Sequence, residues 1–453
     1  MSQEITPGVK ILLGDPRKAV LKLSFPMMIG MLSSALYNIV DGIWVAGLGH
    51  EALSAIGLFF PLFMIVISLS SGIGIGGSSA VSRSIGEKNQ EKASLVAMHT
   101  IVIGILLGSL LTLLLIFYLK DIFNITGVRG ETAKLALSYG KLIALSSIFL
   151  AFSHIGSGIL RGEGDTNRAM YALVLGAGLN IILDPLFIYY FRLGIEGAAL
   201  ATLLSIFISS MLIAYWLFFP NNTYVKIKFK HFSFKKKILG EILGVGLPAC
   251  FAQLSMATAM FILNIIVVKT GGDQGIAVFT SAWRIIMLGT VPLLGVAIGV
   301  TAVCGAAYGA KDIIKLREGF LYAIKAGFIF EAITASLVII FAPKIALIFT
   351  YSQKSYAIYQ DLVQALRLLI LFLPATPLGF LTSAMFQGIN KGINSLIVTI
   401  LRTIIMQVLF SYFLGVVLKW GLIGVWLGIV MGNLIATVIT FNWGRLVIRN
   451  IKF

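Results

Sequence analysis

The chain has 453 residues, 58% of them hydrophobic and only 12% charged, with a formal net charge of +17. Soluble domains carry roughly twice that charged fraction, so a mean hydropathy of +0.98 excludes a soluble enzyme and identifies a polytopic α-helical membrane protein. The basic excess is no nucleic-acid signature, because Lys and Arg gather in the loops on one side of the apolar segments. That bias orients a chain in the membrane and finds its partners in anionic lipid headgroups.

In chain order, twelve spans are expected near residues 19–47, 52–80, 94–118, 134–159, 169–190, 196–218, 240–268, 276–305, 318–341, 358–386, 394–418 and 422–444. Each can cross the hydrocarbon core as a helix. The positive-inside rule then places both termini in the cytoplasm of a multi-pass protein of the cell (plasma) membrane. The N-terminus lacks an h-region with a cleavage site, so the first span is expected to remain as the targeting signal. Cys250 and Cys304, the only cysteines, lie in apolar spans without metal-ligand spacing.

Span one carries Met31, Tyr37, Asn38 and Asp41 in the stretch that ends YNIVDGIWVAGLG. Pro26 stands about fifteen residues before Asp41, roughly 22 Å along a helix axis, and predisposes this helix to kink. Span two contains Gly72-Ile73-Gly74-Ile75-Gly76-Gly77. This matches a dinucleotide fingerprint in letters only, because no soluble strand precedes it; close helix packing is the expected use. Span four holds Tyr139, His154 and Ser157. Span five holds Asn180 and Asp184 in GLNIILDPLFIYYF, where Pro185 cannot donate to the carbonyl of Ile181. Thr202 sits in span six.

A carboxylate inside a bilayer is expensive and usually functional. Tyr37 precedes Asp41 by four residues and Asn180 precedes Asp184 by four, so each acid shares a helix face with a polar partner. These oxygens form a candidate cation site, completed by Thr202 and Tyr139 from spans six and four. For Thr202 and Tyr139 individually, ordinary helix-to-helix hydrogen bonding competes with a ligand role.

The chain then breaks at residues 219–239, where Lys226, Lys228, Lys230, Lys235, Lys236 and Lys237 cluster. A solvated cytoplasmic linker is expected there, between bundles at 1–218 and 240–453. The halves read alike. Pro26 corresponds to Pro248, Gly86-Glu87-Lys88 to Gly309-Ala310-Lys311, ILRGEGDTN (159–167) to MFQGINKGI (385–393), and Gly194–Gly197 to Gly421–Gly424. An even number of spans per repeat implies two six-helix bundles related by a pseudo-two-fold axis along the membrane normal, with a cleft between them. The fold expected is therefore all-α, with twelve transmembrane helices.

The second half supplies Met256 and Met260 to the cleft, and buried-in-sequence cations at Arg284 and Arg402. Such methionines suit a promiscuous apolar surface, although core filling is the commoner use. Glu331 and Lys325 lie on different faces of span nine. Glu331 is a candidate second ionisable site, with pairing to a neighbouring helix as the favoured reading. No ATP-binding lysine motif or hydrolytic motif is present, so the chain is not expected to be an enzyme and needs no cofactor beyond a coupling ion.

The YNIVD-x-x-W-V-A-G-L-G segment, the I-L-R-G-E-G-D-T loop, N-x-x-x-D-P and the paired six-helix halves resemble the multidrug and toxic compound extrusion (MATE) family, in its archaeal and DinF-like branch. The resemblance runs from about Gly14 to Trp443. It implies export of cationic, amphipathic small molecules in exchange for H⁺ or Na⁺, with Asp41, Asn180, Asp184 and Thr202 as the cation site and Tyr139 and Pro26 in support. Cleft and gating roles fall to Tyr37, Asn38, Pro26, Ser157, Met31, Met256, Met260 and Arg284. The chain departs from other branches in having no intramembrane acid in spans seven and eight, since Asp273 falls in a loop, and in placing Ser157 where a larger polar residue is expected.

A secondary antiporter working as a monomer by alternating access is the leading expectation. A flippase for a lipid-linked saccharide or pyrophosphate is the alternative, and it would need several Arg or Lys along the cleft. A non-transporting receptor fits poorly with paired intramembrane acids. Two acids side by side in a dry bundle do not both ionise cheaply, so a shared proton is expected and H⁺ is favoured over Na⁺. Sodium at Asp41, Asn180, Asp184 and Thr202 would need about five or six oxygens, and the freed Ile181 carbonyl brings the count only to the borderline.

Overall fold

The computed structural model describes every residue except 1–4, 220–222, 229, 231 and 352–355. Among the described residues, 12 helices are long and apolar enough to cross a membrane, and no strand occurs. A short helix α1 (Pro7–Leu13) leads into α2 (Pro16–Ala46), α3 (His50–Gly86), α4 (Gln90–Ile125), α5 (Gly130–Gly162), α6 (Thr166–Pro185) and α7 (Gly194–Phe218), which build the first bundle. The second contains α8 (Lys236–Gly289), α9 (Val291–Gly309), α10 (Ile313–Phe349), α11 (Tyr359–Leu369), α12 (Thr376–Gly388), α13 (Gly392–Ile400), α14 (Val408–Tyr412) and α15 (Gly421–Arg449). A 3₁₀ run, Ile370–Ala375, joins α11 to α12, and π turns at Leu401–Gln407 and Phe413–Val417 flank α14.

The helices overrun the apolar windows because polar residues cap and extend them beyond the hydrocarbon. Asp15, Asn89, Asp165 and Asp312 each accept from backbone N–H groups of the following turn, starting α2, α4, α6 and α10. Spans seven and eight lie partly within α8, which is interrupted at Gly272 (φ 58°, ψ −150°), a conformation that suits glycine. The chain folds back at this point. Ile242 and Val296 share one core, whereas Leu263 and Phe279 share another.

The internal repeat is written into the backbone. Lys88 and Lys311 take left-handed φ of 56° and 57°, Arg192 and Lys419 take 56° and 61°, and Gly194 and Gly421 take 57° and 62°. The π turn Leu186–Tyr190 after α6 is matched by Phe413–Val417 in the second bundle. Equivalent helices therefore end in equivalent turns.

Packing shows how the bundles meet. Val20 and Leu23 of α2, Ile85 of α3, Val300 and Ala306 of α9 and Phe386 of α12 belong to a single buried cluster. That cluster lies at the end bearing both termini and the connecting segment, called here the inner end. Toward the other end the cores separate, with Phe59, Leu119 and Ile195 in one and Leu263, Phe279 and Trp426 in another. The bundles therefore close at the inner end and leave a cleft opening away from it. The glycines of span two allow the close approach. Gly72 and Gly76 lie against the α8 backbone near Gly246, Gly74 against His154 of α5, and Gly77 against Thr100 of α4, with no space for a Cβ. This agrees with the packing role expected from their sequence.

The connecting segment departs from the solvated linker expected of it. Tyr224 and Val225 are 3% and 0% exposed. Their N–H groups donate to Oε2 of Glu163 at 3.0 and 3.2 Å, and Gln90 donates to the Tyr224 carbonyl at 2.8 Å. The Lys226 N–H donates to Ser94 and the Lys235 N–H to Nε2 of His99, both at 2.9 Å. Lysines alternate here with apolar residues, so Lys228 stays exposed while Val225 and Ile227 pack on the inner core. The segment is a strap bonded to the first bundle.

Candidate functional site

The two acids of the first bundle come together. Asp184 lies one residue before Pro185 at the end of α6 and is 0% exposed, and Asn180, one turn earlier, is 2% exposed. Asn180 Nδ2 donates to Asp184 Oδ1 at 2.8 Å. Asp41 of α2 is within hydrogen-bonding reach of Asp184, and Tyr37 and Tyr139 are close enough to feel both charges. Tyr139 is fixed edge-on against Phe59, with ring centroids 5.9 Å apart. The remaining Asp184 oxygen, Oδ2, is buried and has no hydrogen-bond donor. An acceptor without a donor beside a second carboxyl is an arrangement that one proton completes.

Thr202, on α7, is partly buried and donates to neither carboxyl; Ser205, one turn further along, is buried with its hydroxyl unpaired. Asn38 bonds back to the Ser34 carbonyl of its own helix at 2.6 Å. Pro26 is buried within α2, which continues helically through it. Met31 and Met260 are half-buried and Met256 is exposed. Ser157 is 4% exposed beside Gly158, which packs on the Gly74 backbone, so it sits in a helix contact. Arg284 is exposed, whereas Arg402 is buried over the Phe380 ring, 5.1 Å from its centroid, with Nε unpaired.

Glu331 lacks the neighbouring-helix partner expected of it. It is fully buried and neither oxygen has a hydrogen-bond partner. The helix face it shares with Gly327 and Thr334 meets Pro377, Leu373 and Gly289, none of which brings a polar side chain.

Other residues around the cleft carry no local sequence signal. Tyr189, in the π turn after Pro185, donates to the Trp44 carbonyl at 2.5 Å and packs edge-on against its ring, joining the ends of α2 and α6. Gln253 of α8 donates to Ser71 of α3 at 2.6 Å, joining the bundles. At the inner end, Arg83 lies 3.8 Å from Glu241, and Lys92 lies 3.4 Å from the same carboxylate oxygen. Arg83 also donates to Ser79 at 2.6 Å and to the Gly388 carbonyl at 3.4 Å.

With this architecture in place, the comparisons with known proteins are decisive. The family model described as MatE matches residues 26–186 and 248–413, one segment in each bundle, beginning at the paired prolines Pro26 and Pro248. The chain belongs to the MATE family. The multidrug export protein MepA of Staphylococcus aureus is 30% identical over 407 residues, covering 87% of this chain and 86% of that protein. A solved multidrug resistance MATE family transporter of the MOP superfamily, in an outward-facing conformation, is 50% identical. It covers 98% of this chain and 99% of its own, with a TM-score of 0.96. A MOP superfamily transporter from Pyrococcus furiosus, whose reverse binding-pocket polarity suggests a different function, is likewise 50% identical, covers 98% and 99%, and superposes with a TM-score of 0.95. The twelve-helix MATE fold of this chain thus makes it a multi-pass membrane transporter and not an enzyme.

Proposed function

We propose that this MATE protein is a multidrug efflux antiporter that exchanges cationic, amphipathic compounds for H⁺ by alternating access. Multidrug export follows from its family and from the relatives named above. Proton coupling rests on one observation: Asp41 lies within hydrogen-bonding reach of a fully buried Asp184 whose Oδ2 has no donor. One proton joins the two carboxyls, and its loss leaves two charges in a low-dielectric bundle that must reorganise or take up a cation. Tyr37, Tyr139 and Asn180 orient the pair, and the Trp44–Tyr189 contact joins the ends of the two helices that carry it. A complete sodium cage, needing about five or six oxygens where the pair, Asn180, Thr202 and the Ile181 carbonyl reach only the borderline, is the less favoured reading.

The inner end with its lysine-rich strap faces the cytoplasm in this reading, which places both termini there, in the plasma membrane. The first bundle (1–218) and the second (240–453) rock about the closed inner end, with the strap (219–239) between them, and one chain suffices as a monomer. Met31, Met256 and Met260 offer the exported compound an adaptable apolar surface, with Arg284 as a gating residue. The flippase alternative would need cations lining the cleft, and Arg402 lies under Phe380, leaving Arg284 alone.

The test is counterflow of a fluorescent cation in proteoliposomes under separately imposed pH and Na⁺ gradients. Transport driven by the pH gradient in nominally Na⁺-free buffer, and lost in Asp41→Asn, supports this reading. Transport that needs Na⁺ and ignores pH overturns the choice of ion.

A further inference from the structure

The second bundle contains a carboxyl that the reading above does not use. Glu331 sits midway along α10 at 0% exposure, with both oxygens unpartnered. Gly327, four residues before it, packs on Pro377, and Thr334, three residues after it, packs beneath Gly289 close to Leu373. Glu331 therefore faces the place where span ten changes from α11 through the 3₁₀ run to α12. Pro374 lies in that stretch and removes an N–H that a carbonyl one turn earlier would otherwise receive, whereas the Phe372 and Leu373 carbonyls, ahead of Pro377, accept from the Thr376 N–H. A bare acid thus faces a helix break in which one backbone oxygen is short of a donor.

Among the described residues, no charged side chain balances it. The 3₁₀ run, α9 and α12 carry no Asp, Glu, Lys, Arg or His. Arg284 of α8 is exposed, and Asp361 and Arg367 of α11 precede the break. Lys325 lies on another face of α10, and α2 meets α10 near Pro16 and Arg17, at the inner end. An ionised carboxylate left alone here would be strongly disfavoured.

We infer that Glu331, facing the carbonyl oxygen freed at Pro374, forms a second proton-binding site inside the second bundle. With a proton, the carboxylate becomes a carboxylic acid whose O–H donates to that freed carbonyl. The proton supplies the positive partner that the surrounding helices lack.

The test is infrared difference spectroscopy of the purified full-length protein, read at the C=O stretch of protonated carboxyl groups. In an Asp41→Asn/Asp184→Asn/Glu163→Gln background, which removes the other buried carboxyls among the described residues, one such band should survive, and adding Glu331→Gln should remove it. Repeating the titration with choline in place of Na⁺ separates the occupants. A band unaffected by Na⁺ supports the proton, and a band that weakens as Na⁺ rises would overturn it in favour of sodium. Glu331→Asp, which keeps the acid, should shift the band, so the assignment survives a poorly folding Gln variant. Glu331→Gln removing no band, Asp leaving the frequency unmoved, or spectra indifferent to both pH and Na⁺ would overturn the proposal. The readout is vibrational, so it holds or fails independently of the antiport reading.

Discussion

Arg83 of α3 and Glu241 of α8 face each other across the closed inner end, with Nη2 3.8 Å from Oε2 and side chains only 5% and 15% exposed. This is the most enclosed ion pair between the two bundles among the described residues, and Arg83 adds bonds to Ser79 and Gly388. Breaking a buried pair by removing one partner costs ~3–5 kcal/mol, part of which Lys92 offsets from 3.4 Å. Arg83→Ala should therefore shift the population toward states open at the inner end. Distances between spin labels placed across that end would report it, and an unchanged distribution would assign the pair no gating role.

Close backbone approach supplies a second, uncharged lock. A Cβ at Gly86 would meet the Ala306 carbonyl, and a Cβ at Gly309 would meet the Arg83 carbonyl. Backbone oxygens cannot swing aside, and overpacking costs ~1–3 kcal/mol. Gly86→Ala and Gly309→Ala should each disfavour the closed inner end while each bundle remains folded. The same label pairs, with thermal unfolding as the control, would show this; normal closure in both variants would refute it.

At the outer end of the first bundle, Asp41→Asn and Asp184→Asn should each abolish gradient-driven export with expression and insertion intact. Asn180→Ala should act less severely, since it removes one donor to a buried acid at a cost of ~1.5–3 kcal/mol without removing a titrating group. Drug resistance in cells at matched expression checks the order. Full resistance with Asn at both acidic positions would exclude the pair from coupling.

The strap gives a pH prediction. Burial pushes the Glu163 carboxyl up to about 8, with Asp165 reinforcing this and the Tyr224 and Val225 N–H groups and Arg168 opposing it. The docked strap therefore favours the protonated form. Its contribution is full below the ordinary carboxylate range and is lost as pH rises through about 8. The mobility of a spin label at Lys226 should increase across that window, and Glu163→Gln should flatten the profile. A pH-independent signal in the parent protein would contradict this linkage.

Much of the arrangement is legible in the amino-acid order because it is local or periodic. Asn180 and Asp184 are four residues apart on one helix, and their bond is visible from spacing alone. The paired turns at Lys88 and Lys311 recur because the same Gly-x-Lys motif closes the same helix twice. Tyr189 and Trp44, in contrast, are 145 residues apart, and no pattern in either segment announces their bond. Arg83 and Glu241 look like ordinary helix-end charges until the bundles are docked. The strap resembles a solvated linker because its lysines dominate its composition, while the buried Glu163 that receives its N–H groups reads as part of a polar loop. Glu331 shows the opposite failure. A partner was expected on general grounds, and the proline-broken helix facing it offers no side chain that could serve.

The strap's attachment also determines where movement can occur. A free connector would let the halves drift apart and re-dock in many ways. Here the described chain is stitched to α4 and to the turn after α5 as far as Lys235, and α8 begins at the next residue. The joint is thus reduced to a single step of backbone, closer to the pin of a hinge than to a rope. While the strap stays docked, the free length of connector between the bundles is therefore far shorter than the sequence between them suggests.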